Sequence, residues 1–184
     1  VVDIVAGHNF SLALKCDGTV WTWGDNSWGR LGTGSMATGP VNRPVQVSVL
    51  SSVTAIAANE THAMALKSDG TVWVWGANNQ GDLGLGVPDS GNHPTPVPVP
   101  GLNGIVSIFL RGGVSYAMKS DGTLFGWGTS FSGQLGDGTS GTLSVTSPIE
   151  LPALKGMLSA STGSGATIVL NPVGSLLSFG HNFR

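Results

Sequence analysis

Short apolar runs, separated by glycine, proline and Asp-Gly punctuation, extend along the whole chain and return every 52 residues. The clearest copy is Lys67-Ser68-Asp69-Gly70-Thr71-Val72-Trp73-Val74-Trp75-Gly76, which recurs from Lys15 and from Lys119 and, in reduced form, from Asn171. A fixed period of this size predicts a repeat architecture, in which each unit buries its apolar surface against its neighbours.

Within a repeat the pattern predicts four strands. The first covers residues 1–6, 53–58 and 105–110, with a smaller, more polar copy at 157–162. The second covers 11–14, 63–66 and 115–118, where the small residues Ala13, Ala65 and Ala117 alternate with large ones, as expected of a strand pressed against a close neighbour on one face. Asp-Gly at 17/18, 69/70 and 121/122 then predicts a hairpin with a type I′ turn. The third strand, Val72-Trp73-Val74-Trp75 in the second repeat, has no polar face and must be covered from both sides.

A Gly-rich turn follows, with Gly29, Leu31, Gly32 and Gly34 in register with Gly81, Leu83, Gly84 and Gly86 and with Gly133, Leu135, Gly136 and Gly138. Residues 35–43, 87–95 and 139–147 have no position common to all three repeats and are read as variable loops. The fourth strand is expected to start at Pro44, Pro96 and Pro148, and proline places it at a sheet edge because it cannot donate to a ladder. Four-stranded units that are apolar on both faces predict an all-β fold, a β-propeller with blades at 1–52, 53–104 and 105–156 and a partial blade at 157–184. A solenoid or open sandwich is the alternative; helical repeats lack the required 3.6-residue period.

The pattern of Ala6, Gly7, Ala13, Leu14, Asp17, Gly18, Trp23, Gly24, Asn26, Gly29, Leu31 and Gly32 resembles the tryptophan-glycine propeller repeat of the regulator of chromosome condensation family. The second copy supplies Ala58, His62, Ala65, Leu66, Asp69, Gly70, Trp75, Gly76, Asn78, Gly81, Leu83 and Gly84, and the third follows with Ser130 in place of the asparagine. The resemblance implies a ring of seven blades, about 360 residues at this period, so the 184-residue chain is read as part of a longer protein. An unclosed stack would expose the apolar face of its last blade, so association through open blade edges is expected.

Charged residues make up only 10% of the chain and the net charge is -2, which supplies no electrostatic footprint for nucleic acid or an acidic membrane surface. No apolar run approaches the roughly 18 residues of a membrane span. The single cysteine, Cys16, excludes an internal disulfide and shares its turn register with Ser68 and Ser120. The 36 Ser and Thr residues against four lysines lean toward an extracellular or cell-surface protein.

Catalytic and cofactor chemistry is not expected. The Gly-rich turns lack a following Gly-Lys-Ser/Thr and a helix N-terminus, so they are not phosphate cradles. His8, His62, His93 and His181 fall at unrelated registers without metal-ligand spacing. Asp17, Asp69 and Asp121 each head a separate hairpin, about one blade apart, and cannot act as a carboxylate pair. The expected function is therefore recognition of a protein partner by loops on a rigid scaffold. The candidate contact residues are Trp28, Arg30, Met36, Arg43, Asp82, Asp89, Asn92, His93, Phe131 and Gln134, the conspicuous side chains at non-repeating positions. Alternatives are guanine nucleotide exchange on a small GTPase, which the resemblance implies and for which no wedge insertion is present, inhibition of an extracellular enzyme, and lectin-like sugar binding.

Overall fold

The computed structural model describes residues 1–36, 39–86, 91–141, 144–157, 159–162, 166–171 and 173–180. They form a β-propeller segment of four antiparallel sheets. Blade 1 contains β1 (Asp3–Ala6), β2 (Phe10–Leu14), β3 (Val20–Gly24) and β4 (Val41–Gln46). Blade 2 contains β5 (Val53–Ala58), β6 (His62–Lys67), β7 (Val72–Ala77) and β8 (Asn92–Pro98). Blade 3 contains β9 (Ile105–Arg111), β10 (Val114–Lys119), β11 (Leu124–Thr129) and β12 (Ser144–Glu150). The fourth sheet has three strands, β13 (Ser159–Thr162), β14 (Ala166–Leu170) and β15 (Leu176–Gly180). Each sheet is ordered as in the sequence, and successive blades meet through their first strands, β1 on β5, β5 on β9 and β9 on β13.

No blade has a core of its own. Three apolar layers lie between the sheets, and the alternation in β6 shows how they are assigned: Ala63 and Ala65 face blade 1, whereas Met64 and Leu66 face blade 3. Small residues on one face and large ones on the other let each sheet receive its neighbour's bulk. Trp75 and Trp127 are fully buried in the first two layers, and Tyr116 in the third.

The hairpin between the second and third strands departs from the sequence expectation. Gly18 N donates to Lys15 O at 3.0 Å and Lys15 N to Thr19 O at 3.0 Å, and only the glycine has positive φ, at 76°. This is a three-residue loop, a type I turn closed by a glycine bulge, and not a type I′ turn. The remaining residues of the decapeptide are spent on holding it. Asp17 Oδ1 accepts from the Thr19 hydroxyl and amide, which hold its carboxyl below the usual range; the Thr19 hydroxyl in turn accepts from Trp21 Nε1 at 3.2 Å. Lys15 lies over the Trp21 ring. The same set recurs at Lys67, Asp69, Thr71 and Trp73.

This turn also joins blades. Val53 N donates to Gly18 O, Ile105 N to Gly70 O and Gly156 N to Gly122 O, so each hairpin glycine accepts from the chain entering the next blade. A Cβ on Gly70 would lie 2.9 Å from Gly104 N, which leaves no room for a side chain.

The fourth strands begin before the prolines, at Val41, Asn92 and Ser144, so part of each variable loop is strand. They pair only with β3, β7 and β11, and the register slips at Thr22/Gly24, Val74/Gly76 and Gly126/Gly128. Pro44, Pro96 and Pro148 fall within these slips, where the ladder needs no donor.

Candidate recognition face

The antiparallel order sends the turns after the first and third strands of every blade to one rim, and the Asp-Gly hairpins to the other. The first rim carries the Gly-rich turns and the variable loops. Two repeated features fix these turns. Asn26 Oδ1 accepts from Leu31 N at 3.2 Å, and Asn78 Oδ1 from Leu83 N at 3.1 Å, closing the loop on its own backbone. Ser130 is too short to do this in blade 3, and its buried hydroxyl has no partner.

The second feature crosses between blades. Trp75 Nε1 donates to Arg30 O at 2.9 Å, and Trp127 Nε1 to Asp82 O at 3.0 Å. The indoles rest against Gly32 and Gly84, where an added Cβ would come within 2.8 and 2.7 Å of Nε1. In the fourth sheet Phe179 takes the tryptophan's place against Gly136, and Gln134 O is satisfied instead by Tyr116 Oη at 3.0 Å and Thr167 Oγ1 at 2.8 Å. Positions 30, 82 and 134 therefore have a repeating backbone role beneath side chains that differ: a cation, an anion and an amide.

Those side chains have different fates. Arg30 is 2% exposed and leaves the set of contact residues. Its guanidinium lies 4.6 Å from the Trp28 ring and 5.5 Å from the Phe10 ring, its Nη2 is 3.6 Å from Asp25 Oδ2, and its Nε donates to Ser27 O. Burial lowers its pKa, with Asp25 opposing. What Arg30 supports is exposed: Trp28, 43% accessible, sits at φ 62°, ψ 14°, a left-handed conformation unusual for a bulky residue.

Asp82 is 8% exposed. It lines a recess of about 290 Å³ with Asn59, Glu60, Thr61, Gly112, Gly113 and Gln134. Thr129 Oγ1 donates to Asp82 Oδ1 at 3.2 Å, and burial pushes the carboxyl up to about 6. Beneath the recess His62 is buried, its Nδ1 3.3 Å from Thr61 Oγ1 and its Nε2 3.5 Å from Ser115 Oγ; burial pushes its pKa down to about 3, so it is a neutral core group.

Of the other candidates, Phe131 is 59% exposed and Met36 is also exposed at the rim. Arg43 is exposed on β4, and Asn92 and His93 are half-buried on β8, so these three belong to edge strands and not to loops. Gln134 Oε1 accepts from Ser132 N at 2.7 Å. Asp89 lies outside the described residues. The structure thus brings together Trp28 with Arg30, and Asp82 with Gln134. Asn59, Glu60, Gly112 and Gly113 were missed, although residues 7–9, 59–61 and 111–113 also differ between repeats and the same criterion applied to these turns finds them. Among the described residues no group of three His, Cys, Asp or Glu is placed to hold a metal, and no helix is long and apolar enough to cross a membrane.

Comparison with known proteins agrees with this geometry. The chain is 33% identical to the human probable E3 ubiquitin-protein ligase HERC6 over 98% of its length, but covers 18% of that protein. It is 31% identical to the Arabidopsis thaliana mitochondrial RCC1 domain-containing protein RUG3, over 97% of this chain and 41% of the relative. Human WBSCR16 superposes with a TM-score of 0.83 at 26% identity, over 98% of this chain and 47% of the other. Yeast Prp20p, whose structure was described together with its binding to Gsp1p and histones, gives 0.83 at 24% identity, over 97% of this chain and 45% of the other. The chain spans less than half of each. None of these relatives supports the extracellular leaning drawn from composition. The profile of the regulator of chromosome condensation (RCC1) repeat matches residues 17–66, 69–115 and 121–170, and the chain belongs to the RCC1 repeat family.

Proposed function

We propose that this chain is a non-catalytic recognition module, whose rim of Gly-rich turns and variable loops binds a protein partner. The observation that carries the reading is Trp28. A tryptophan kept 43% exposed at φ 62° over a buried arginine contributes little to packing, in contrast to the fully buried Trp75 and Trp127. A left-handed non-glycine residue costs about 1–3 kcal/mol, and such strain is retained where a side chain must be presented. Aromatic residues with a supporting arginine are the usual anchors of protein interfaces. Phe131 is exposed on the same rim, two blades away.

Binding to protein partners is reported for the yeast neighbour, and the ligases among the relatives are far longer than this segment, which fits a recognition part within a larger assembly. The test is quantitative binding to a partner isolated by affinity capture and then purified. Trp28→Ala and Phe131→Ala should each weaken the complex by about tenfold or more and leave the melting temperature unchanged. Unaltered affinity in both variants would remove this rim as the interface. A nucleotide-release assay on small GTPases separates simple binding from exchange activity.

A further inference from the structure

We infer that the Gly-rich turn of blade 3, residues 130–138, opens locally while its blade stays folded, so that Phe131 is an adjustable contact of the rim and Trp28 a fixed one. The inference rests on the reading of this rim as the recognition face, but the opening is a property of the free protein. Its ground is the comparison of three turns built on one repeat. In blade 1 Asn26 ties both ends of the turn, accepting from Leu31 N at 3.2 Å and donating from Nδ2 to Ser35 O at 2.7 Å. Ser27 is held to Asp25 Oδ1 through its amide and its hydroxyl, and Arg30 Nε reaches back to Ser27 O. The outer strand of the next blade then clamps the turn from outside. Gly34 N donates to Pro94 O at 2.8 Å, and a Cβ on Gly29 would lie 2.5 Å from Pro94 Cα. Blade 2 repeats the closure, from Leu83 N to Asn78 Oδ1 at 3.1 Å, and the clamp, from Gly86 N to Thr146 O at 2.8 Å with Gly81 against Thr146.

Blade 3 keeps neither device. The Ser130 hydroxyl is buried without a partner, so no side-chain bond closes the turn from position 130. Thr129, in the register of Asp25, donates its hydroxyl to Asp82 Oδ1, and Phe131, in the register of Ser27, has no polar side-chain group. On the outer side the described residues of the fourth sheet form three strands. A Cβ on Gly133 would meet atoms of its own loop, Thr139 O at 3.3 Å and Ser140 Cβ at 4.0 Å, and one on Gly138 would meet nothing within 4 Å.

The turn does have an inner anchor. Tyr116 Oη donates to Gln134 O at 3.0 Å and to Leu135 O at 3.3 Å, Thr167 Oγ1 donates to Gln134 O at 2.8 Å, and Leu135 is fully buried in the third layer. That anchor lies after Phe131. Phe131 itself is held through Gly141 N, which donates to Phe131 O at 2.9 Å from the adjoining loop. Local opening is easiest where the bonds to the rest of the fold are few, and here it leaves the apolar layer intact. An aromatic side chain that is 59% exposed on such a segment can settle against a partner by moving its turn; Trp28 cannot.

The experiment is amide hydrogen exchange of the free protein, followed residue by residue by NMR and corrected for intrinsic rates. Gly133 and Leu135 are expected to exchange about tenfold or more faster than Gly81 and Leu83, their counterparts in blade 2, with the strand amides of β10 and β11 as protected as those of β6 and β7. Ser130→Asn should slow Gly133 and Leu135 toward the blade 2 rates. Asn78→Ser should speed Gly81 and Leu83 by a similar factor and leave Leu31 unchanged, and it carries the test if Ser130→Asn does not fold. Equal protection of the two turns in the wild type, a loss of protection in β10 and β11 as large as that in the turn, or rates that neither substitution alters would each overturn the inference. The measurement needs no partner, so it is separate from the wider reading: unaltered affinity in Trp28→Ala and Phe131→Ala would remove the interface and leave the opening standing.

Discussion

Replacing Asp82 by asparagine should stabilise the protein at neutral pH. In the unfolded chain this carboxyl titrates at its ordinary value of 3.8, and in the folded state burial pushes it up to about 6 against the opposing Thr129 bond. Between those values the native state keeps a proton that the unfolded state has lost, so raising the pH through this window costs the native state stability. The displacement corresponds to about 3 kcal/mol, fully expressed above pH 6 and absent below 3.8. Asparagine is nearly isosteric, carries no charge and can still accept from Thr129 Oγ1. Asp82→Asn is therefore expected to gain up to about 3 kcal/mol near pH 7 and almost nothing near pH 4.

The wild-type profile alone would not reveal this, because His62 acts in the other direction. Its folded pKa is pushed down to about 3 from 6.5, so its contribution is complete above 6.5 and is lost as the pH falls. His62 is present in both proteins and cancels in the difference. Urea unfolding followed by the fluorescence of the six tryptophans, from about pH 4 to about pH 8, gives the required curve of ΔΔG against pH. A flat difference, or a variant less stable than wild type at pH 7, would refute the reasoning and would mean that the ionised Asp82 is already paired in the folded protein.

Four further substitutions test how the blades are closed and joined. Thr22 is a buried hydroxyl without a partner in the register occupied by Val74, and Thr22→Val should add about 1–2 kcal/mol in the same unfolding assay. Ser130→Asn should restore the turn closure made by Asn26 and Asn78 and raise stability by about 1 kcal/mol. Trp75→Phe should cost more than Trp127→Phe, by about 1 kcal/mol: Asp82 O keeps a second donor in Ser115 Oγ at 3.4 Å, whereas the residue in that register facing Arg30 O is Ala63. Equal losses in the two phenylalanine variants would show that the indole bond is not what distinguishes the layers.

The repeat made the strands and their order legible, because burial on both faces of a sheet leaves a pattern in a single chain. What that pattern could not convey is which residue serves a neighbouring blade. Gly18 and Gly32 read as local turn residues, yet one accepts a hydrogen bond from the chain entering the next blade and the other makes room for its tryptophan. The same limit governed the candidate site. Positions 30, 82 and 134 were singled out because their side chains differ, but the reason they can differ lies in the backbone. Once the carbonyl is engaged across the interface, as at Arg30 and Asp82 by the indoles and at Gln134 by Tyr116 and Thr167, the fold makes no demand on the side chain. Arg30 then folds inward under Trp28, and Asp82 lines a recess of the rim. Variation at a position with a fixed backbone task is where a repeat protein can acquire specificity without endangering its fold, so the residues most worth mutating are those whose carbonyl repeats and whose side chain does not.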